Sequence, residues 1–232
     1  DARLSRINSD GYIDRAFSKL QSFYLSGAYI NKKTSVRLNV FSGKEKTYQA
    51  WYGLPENLLQ ENRTYNAAGT ERPGEPYHNQ TDNYQQDHYQ LFVNHAINSH
   101  WNFSLATFLT RGKGFYEEYK AQQDYEKYGL DNFITGNDTL FATDLIRQRW
   151  LDNYFYGQVF SVNYKKVKDE LSIGGSWTDY AGKHIGYITW AKAGVPDQYQ
   201  YYLRPALKTD RNIYVKWAHL FNNAWSIFAD VQ

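Results

Sequence analysis

The sequence of 232 residues contains neither cysteine nor methionine. This composition excludes a disulfide scaffold, thiol chemistry and a cysteine-ligated metal site. Because the initiator methionine is also missing, we expect the chain to start within a longer protein, in which a signal peptide could precede it. No stretch approaches the roughly 18 consecutive apolar residues that a transmembrane helix requires.

Charge of one sign is also scarce. The net charge is +2 and no run of lysine or arginine occurs, so nucleic acid is not an expected partner. The six histidines lack the spacing of metal ligands, and we expect neither a metal nor another cofactor. Helical spacing is equally rare: residues 115–128 tolerate a helix but lack a broad apolar stripe.

Aromatic residues are abundant, with 22 tyrosines and 7 tryptophans. This is about twice the usual content of a globular domain. Tyrosine and tryptophan combine an apolar body with a polar tip, which suits a boundary between hydrocarbon and water. A tyrosine-rich binding surface, as in carbohydrate or peptide receptors, is the alternative.

Several segments place apolar residues at every second position, most clearly residues 101–109, 171–177, 213–221 and 225–231. A strand directs alternate side chains to opposite faces, so each segment has one apolar and one polar face. The apolar face either packs in a soluble core or faces lipid in an outer-membrane barrel. The residues assigned to it are Phe103, Leu105, Ile173, Val215 and Ile227.

Not every position follows this alternation. Gln158, His95 and His219 fall among the apolar positions of their strands. Membrane strands tolerate polar residues near the interface better than at the midplane, which accommodates the two histidines near strand ends but leaves Gln158 unexplained.

The same periodicity predicts about eight strands and little else. One of them, 35–52, we expect to be interrupted near Gly43. The predicted strands are residues 21–30, 35–52, 86–97, 101–110, 147–164, 171–178, 211–221 and 225–232.

The connections alternate in length. Short turns rich in Asn, Lys and Asp are predicted at residues 31–33, 98–100, 165–170 and 222–224. Long polar loops are predicted at residues 53–85, 111–146 and 179–210. Tight periplasmic turns and long extracellular loops are typical of outer-membrane barrels.

Four aromatic residues lie beside the short turns, on the apolar positions. They are Trp101, Tyr164, Phe221 and Trp225. At one height they would form an aromatic girdle at the periplasmic edge. Core aromatics at the closed end of a sandwich are the alternative.

Several phrases, in order along the chain, resemble TonB-dependent outer-membrane receptors of the Bacteroides type, within the barrel portion. They are residues 7–16 (INSDGYIDRA), 42–53 (SGKEKTYQAWYG), 82–90 (DNYQQDHYQ), 112–119 (GKGFYEEY), 143–157 (TDLIRQRWLDNYFYG) and 225–232 (WSIFADVQ).

The resemblance implies an all-β fold, an antiparallel transmembrane segment of a roughly 22-stranded barrel. Residues 1–232 would be a partial barrel domain, with the plug domain and the remaining strands absent. The implied activity is uptake of a scarce nutrient, such as an iron chelate, haem, cobalamin or a glycan, across the outer membrane of a Gram-negative bacterium. The implied partners are the lipid bilayer, the TonB complex acting through a plug, and a surface lipoprotein.

No catalytic constellation stands out, and we expect a protein that is not an enzyme. The adjacent carboxylates Glu117 and Glu118 point apart on an extended chain, and we expect both to be solvated. A porin-like channel without energy coupling and a soluble β-sandwich or lectin-like module are alternative functions. The sandwich predicts that the apolar-face residues are buried under a second sheet.

Ligand-binding candidates lie in or beside the long connections. Arg147 and Arg149 share one strand face, so both could meet an anionic ligand or a plug carboxylate. Salt bridges to Asp or Glu on neighbouring strands are the alternative. The full set of candidates is Trp51, Tyr52, Arg63, Tyr116, Arg147, Arg149, Trp150 and Trp190.

Overall fold

The structure, a computed structural model, describes residues 1–232 and is almost entirely β. Two single-turn 3-10 helices occur, at Glu56–Leu58 and Glu126–Tyr128. None of the helical segments is long and apolar enough to cross a membrane. The strands are β1 (Ala2–Ser9), β2 (Ser18–Ile30), β3 (Thr34–Tyr48), β4 (Thr81–Ala96), β5 (Trp101–Asp124), β6 (Phe133–Thr135), β7 (Asp138–Leu140), β8 (Ala142–Lys166), β9 (Asp169–Ala191), β10 (Tyr199–Leu220) and β11 (Ser226–Val231).

Nine strands form one antiparallel sheet in the order β1-β2-β3-β4-β5-β8-β9-β10-β11. Each strand therefore pairs with its neighbour in the chain, and the small hairpin β6-β7 lies in the connection from β5 to β8. Strands β1 and β11 form open edges. The predicted all-β antiparallel fold is confirmed, with nine strands in the sheet where the periodicity predicted about eight.

The alternation of connection lengths is also confirmed. The connections at one end of the sheet, the short-turn end, have two to five residues each: 31–33, 97–100, 167–168 and 221–225. Those at the other end, the long-connection end, have seven or more: 10–17, 49–80, 125–141 and 192–198.

Three of the short turns share one local geometry. Asn31 accepts backbone N–H bonds at its side-chain oxygen from Lys33 (2.9 Å) and Thr34 (2.8 Å). Asn98 and Asn222 accept the equivalent pairs of bonds two and three residues further along. These asparagines satisfy N–H groups that the tight turn would otherwise leave unpaired.

Two of the three predicted long loops are wrong. Residues 111–124 continue β5, and residues 179–191 and 199–210 belong to β9 and β10. Beyond about Arg111 both faces carry polar and aromatic residues, so the alternation in hydrophobicity ends there. The backbone ladder continues regardless, for example at the pair Lys113–Asp152.

One smaller prediction is also wrong, because strand β3 runs through Gly43 without interruption. The stretch 115–128, which tolerates a helix but lacks an apolar stripe, is strand as far as Asp124. Strand β1 was not predicted, because residues 2–9 show no sustained apolar alternation. It is a strand because it pairs along its whole length with β2.

Residues paired across antiparallel strands share a face, so the register defines two faces of the sheet. The apolar face carries Phe103, which is paired in one row with Val162, Ile173 and Val215. Ile227 pairs with His219 on the same face. The next row contains only apolar side chains or glycine: Tyr29, Val36, Val93, Leu105, Phe160, Gly175 and Ile213.

The opposite side of the sheet, the polar face, carries mainly small and hydrogen-bonding residues. One of its rows contains Asn102, Asn163, Ser172, Lys216 and Asp230. Within this row Lys216 and Asp230 form an ion pair of 3.4 Å.

Nothing in the chain covers the apolar face. Ile173, Val215 and Ile227 are about 40% exposed, at 38%, 41% and 43%. Phe103 and Leu105 are half-buried by their neighbours within the sheet. The sandwich alternative predicted burial under a second sheet, and no second sheet packs there.

The apolar run on this face crosses the sheet diagonally. Its boundary is the last apolar residue of the run toward the long-connection end, which is Phe23 on β2 and Ile213 on β10. The row of Ile213 meets β2 at Tyr29, which allows the two heights to be compared on one strand. Phe23 lies six residues from Tyr29, and six strand-to-strand steps separate β2 from β10. The boundary therefore moves by one residue per strand. Val40 on β3 and Trp177 on β9 mark it at intermediate heights.

The four aromatic residues predicted beside the short turns lie at that end. Trp101 and Tyr164 are paired, with ring centroids 4.8 Å apart. Phe221 and Trp225 flank the last turn and are well exposed.

Candidate functional site

Side-chain burial is concentrated at the long-connection end. A small core of Tyr128, Leu145 and Ile188 joins β8 and β9 to the connection 125–141. Tyr48, Ala68 and Tyr77 are buried where the connection 49–80 folds back on the sheet. This end is the only part of the chain with a packed interior, and the candidate site lies there.

The connection 49–80 is held mainly by polar contacts. Arg15 donates hydrogen bonds to the carbonyl oxygens of Asn66 (2.6 Å) and Ala68 (3.1 Å). The hydroxyl of Tyr48 donates to the carbonyl of Tyr77 at 2.8 Å. The loop therefore has a defined conformation over the end of the sheet.

Glu117 is a buried carboxylate at the centre of these contacts. Its Oε1 accepts hydrogen bonds from the Tyr77 hydroxyl (2.6 Å) and the Asn79 amide (2.5 Å). Its Oε2 accepts from the Gln148 amide at 2.6 Å. No lysine or arginine forms an ion pair with it. Burial, together with the hydrogen bond to Glu117, raises the pKa of Tyr77.

Glu118 points to the polar face and forms an ion pair with Arg147. Both nitrogens Nε and Nη2 of Arg147 donate to Oε2 of Glu118, at 2.9 and 2.8 Å, and Nη1 donates to the Tyr128 hydroxyl at 3.1 Å. The prediction that Glu117 and Glu118 are solvated is therefore wrong, because both are buried and bonded. For Arg147 the structure shows the alternative to ligand binding, a salt bridge to an acid on the neighbouring strand.

Arg149 lies one row below Arg147 on the same face and has different partners. Its Nη1 donates to the Tyr116 hydroxyl at 2.8 Å, and Trp51 packs edge-on against the Tyr116 ring at 6.2 Å. Its Nε is buried and has no partner in hydrogen-bond geometry, and the same is true of the Tyr201 hydroxyl. Burial disfavours the charged form, but the hydroxyls of Tyr201 and Tyr116 outweigh it and raise the pKa of Arg149.

A tyrosine cluster borders Arg149. The ring of Tyr201 lies 4.9 Å from that of Tyr128 and 4.8 Å from that of Tyr202. A β-bulge between Gln200 and Tyr202 brings these neighbouring rings together. They lie over Gly186, where a Cβ atom would overlap both Tyr201 and Tyr202.

The polar face also carries acids at the same height. Asp82 is in the row of Tyr116 and Arg149, two strands from Arg149. Burial and the nearby carboxylates Glu45 and Glu118 raise the pKa of Asp82 to about 6.

The structure divides the predicted ligand-binding residues. Trp51, Tyr52, Tyr116, Arg147 and Arg149 come together at the polar face. The other three lie apart. Trp150 packs on Phe115 at 4.4 Å on the opposite face, Trp190 lies beside Tyr119, and Arg63 is exposed in the loop.

Sequence reasoning missed Tyr128, Tyr201 and Tyr202, because residues 111–146 and 179–210 were predicted to be loops. The phrase YQYYLR at residues 199–204 was the available signal, since three tyrosines in four residues suit an exposed strand end. The bulge that places Tyr201 beside Arg149 has no sequence signature of its own.

The assembled groups are suited to binding. Aromatic rings, neutral hydroxyl and amide groups and an arginine can hold a ligand by stacking and directional hydrogen bonds. No group of three or more histidine, aspartate or glutamate side chains is arranged to hold a metal ion. No known protein-family model matches the chain, and no curated protein matches it significantly in sequence.

Replacing Glu117 by alanine should loosen the connection 49–80. Three donors, of which Tyr77 is buried and Asn79 and Gln148 are half-buried, would lose their acceptor, which costs on the order of 3 kcal/mol. We expect faster tryptic cleavage after Arg63 and Arg72 in the folded protein, measured by limited proteolysis with mass spectrometry. Glu75→Ala, an exposed acid in the same loop, is the matched control, and equal cleavage rates in the two variants would contradict the anchor role of Glu117.

Asp82 should give stability a pH dependence of definite sign. Its pKa is raised in the folded state from 3.8 to about 6, so the folded state binds the proton more tightly. Stability should therefore fall as the pH rises from about 4 to about 6 and then level off. Asp82→Asn should remove this component, measured as urea midpoints across that range. An unchanged slope in the variant would show that Asp82 is not its source.

Proposed function

We propose that the chain is part of the barrel wall of a TonB-dependent outer-membrane receptor that takes up a scarce nutrient. The proposed location is the outer membrane of a Gram-negative bacterium, and the proposed barrel has about 22 strands. The sequence resemblance suggests the family, and the uncovered, diagonal apolar band is the observation that carries the membrane assignment.

The exposure of the apolar face supports lipid as its surroundings. Soluble monomers rarely expose contiguous apolar patches beyond a few hundred Å². Here one row across seven strands contains only apolar residues or glycine and is uncovered, from Tyr29 on β2 to Ile213 on β10, which are 64% and 68% exposed. Such a surface is stable in hydrocarbon and a liability in water.

The diagonal course of the band supports a tilted barrel wall. A shift of one residue, about 3.3 Å, per strand spacing of about 4.8 Å corresponds to a tilt of about 35°. Strands of outer-membrane barrels tilt by about 35–45° to the membrane normal. A horizontal membrane would cut the sheet along this diagonal.

The height of the band agrees with this interpretation. On β5 the apolar positions run from Trp101 to Leu109, and the row of Lys113 is charged, with Lys44, Asp152 and Lys183. The ten residue steps from Trp101 to Arg111, the first charged position on this face, span about 33 Å along the strand, or about 27 Å along the membrane normal after a tilt of about 35°. An apolar band of about 25 Å is usual for these barrels.

The open edges support a larger assembly. Strands β1 and β11 each have one free edge, and lipid does not tolerate unpaired backbone groups. Further strands of the same barrel would pair with them. The polar face would then line the lumen, which a plug domain coupled to the TonB complex fills in this family.

In this arrangement the long-connection end is extracellular. The aromatic and arginine groups around Tyr116 and Arg149 would meet the incoming ligand, with a surface lipoprotein as a candidate partner. The aromatics beside the short turns, Trp101 and Tyr164 among them, would form the periplasmic girdle. The chemical work proposed for the chain is binding and passage of the ligand, without catalysis.

A charge on the apolar face tests the membrane assignment. Arginine near the bilayer midplane costs about 2–4 kcal/mol, and much less on a lumen-facing position. We expect Ile173→Arg to lower the unfolding free energy of the protein in lipid vesicles by that amount, measured by urea titration. Ser172→Arg, one residue away on the polar face, is the control, and similar losses in both variants would contradict a lipid-facing Ile173.

Energy coupling separates the receptor from a porin-like channel. We expect a deletion strain to lose growth at limiting concentrations of one defined iron or glycan source. A protonophore should abolish uptake of that nutrient in wild-type cells, because the TonB complex needs the proton gradient. Uptake that persists with the protonophore would favour the channel, and unimpaired growth on every source tested would contradict nutrient uptake.

A further inference from the structure

We propose that Arg149, with Tyr116 and Tyr201, forms an oxyanion-binding subsite that takes a carboxylate or phosphate group of a ligand bearing a flat ring. The inference deepens the proposed function. Delivery of that ligand into the cell would rest on the proposed receptor function. Binding itself depends only on the geometry of the polar face.

The first step is the contrast between the two arginines. Arg147 is compensated by the buried carboxylate of Glu118, with two hydrogen bonds below 3 Å. Arg149 forms no ion pair, and its one hydrogen-bond partner is the neutral Tyr116 hydroxyl. Of these two neighbouring cations, Arg149 therefore keeps its charge available for an anion.

The second step is the geometry of the guanidinium group. Nη1 donates to the Tyr116 hydroxyl, and both Nε and the Tyr201 hydroxyl are buried without a partner in hydrogen-bond geometry. Nη2 makes no hydrogen bond within the chain and is not among the buried unpartnered atoms, so it reaches the surface of the site. The hydroxyls of Tyr116 and Tyr201 and the unpaired Nη2 of Arg149 suit a ligand group with several acceptor oxygens.

The third step concerns competition from the protein's own acids. Asp82 shares a row with Arg149, but two strand spacings, about 10 Å, separate them. Glu118 is occupied by Arg147. No carboxylate of residues 1–232 neutralises Arg149.

The fourth step concerns the ligand's neighbouring part. Trp51 is 56% exposed and stands edge-on to Tyr116, and Tyr202 packs against Tyr201 on the other side. Aromatic rings on both sides of a cation favour a ligand whose anionic group adjoins a flat or ring-shaped body. A free inorganic anion would use only half of the site.

The test uses the complete purified protein in detergent and a matched set of small probes. Para-nitrobenzoate, para-nitrophenyl phosphate and the neutral para-nitrobenzamide all quench tryptophan fluorescence. Trp51→Phe identifies the part of the signal that arises at the site. We expect the two anions to bind at least about tenfold more tightly than the amide, since charge-assisted hydrogen bonds are lost with the neutral probe.

The variants separate this role from a structural one. Arg149→Gln should abolish the preference for anions while the protein stays folded, and Arg149→Lys should restore part of it. The double variant Arg147→Gln with Glu118→Gln removes an arginine without leaving a buried charge, and it should keep the preference. Comparing the carboxylate with the phosphate identifies which oxyanion the site favours.

Several outcomes would overturn the proposal. These are equal binding of all three probes by the wild-type protein, an anion preference that survives Arg149→Gln, and a preference lost equally in the double variant. The first is also expected if a carboxylate from elsewhere in the complete protein occupies Arg149. Binding is measured without uptake, so the two proposals are tested separately. The oxyanion subsite can fail while the receptor function stands, and the subsite can be confirmed while the receptor function fails.

Discussion

Hydrogen bonding between neighbouring strands is the interaction on which the rest of the structure depends. Of 148 backbone hydrogen bonds 122 lie within regular elements, whereas only 26 of 232 residues are buried. Side-chain packing therefore contributes little over most of the sheet. Because every strand pairs with its chain neighbour in register, the alternation of one strand is copied to the next. Two chemically distinct faces follow from this copying.

At the long-connection end a different interaction takes over. The connection 49–80 is fixed by hydrogen bonds to buried polar groups, of which Glu117 accepts three from Tyr77, Asn79 and Gln148. A buried carboxylate with neutral partners is stable only while all of them are in place. The loop conformation and the upper parts of β5 and β8 therefore depend on one another, which gives the candidate site a defined wall.

The sequence predicted those features that depend on alternation. The shared face of Phe103, Leu105 and Ile173 follows from period two, and so does the common orientation of Arg147 and Arg149. It could not predict the extent of β9 and β10 beyond the apolar band, because backbone pairing continues there without hydrophobic contrast. The partners of Glu118 and the bulge beside Tyr201 depend on contacts between distant segments, which one sequence does not reveal.

The diagonal band also accounts for Gln158, which breaks the alternation of its strand. Gln158 shares its row with Arg211. On β10 this row lies two residues beyond Ile213, toward the long-connection end. Arg211 thus lies beyond the band on its own strand, where it contacts Trp177 and Asp179. Gln158 adjoins the tyrosine Tyr156 at the margin of the band on β8. Measured against this diagonal boundary, Gln158 and Arg211 lie at or beyond the edge of the apolar band, and the row of Ile213 below them contains only apolar residues or glycine.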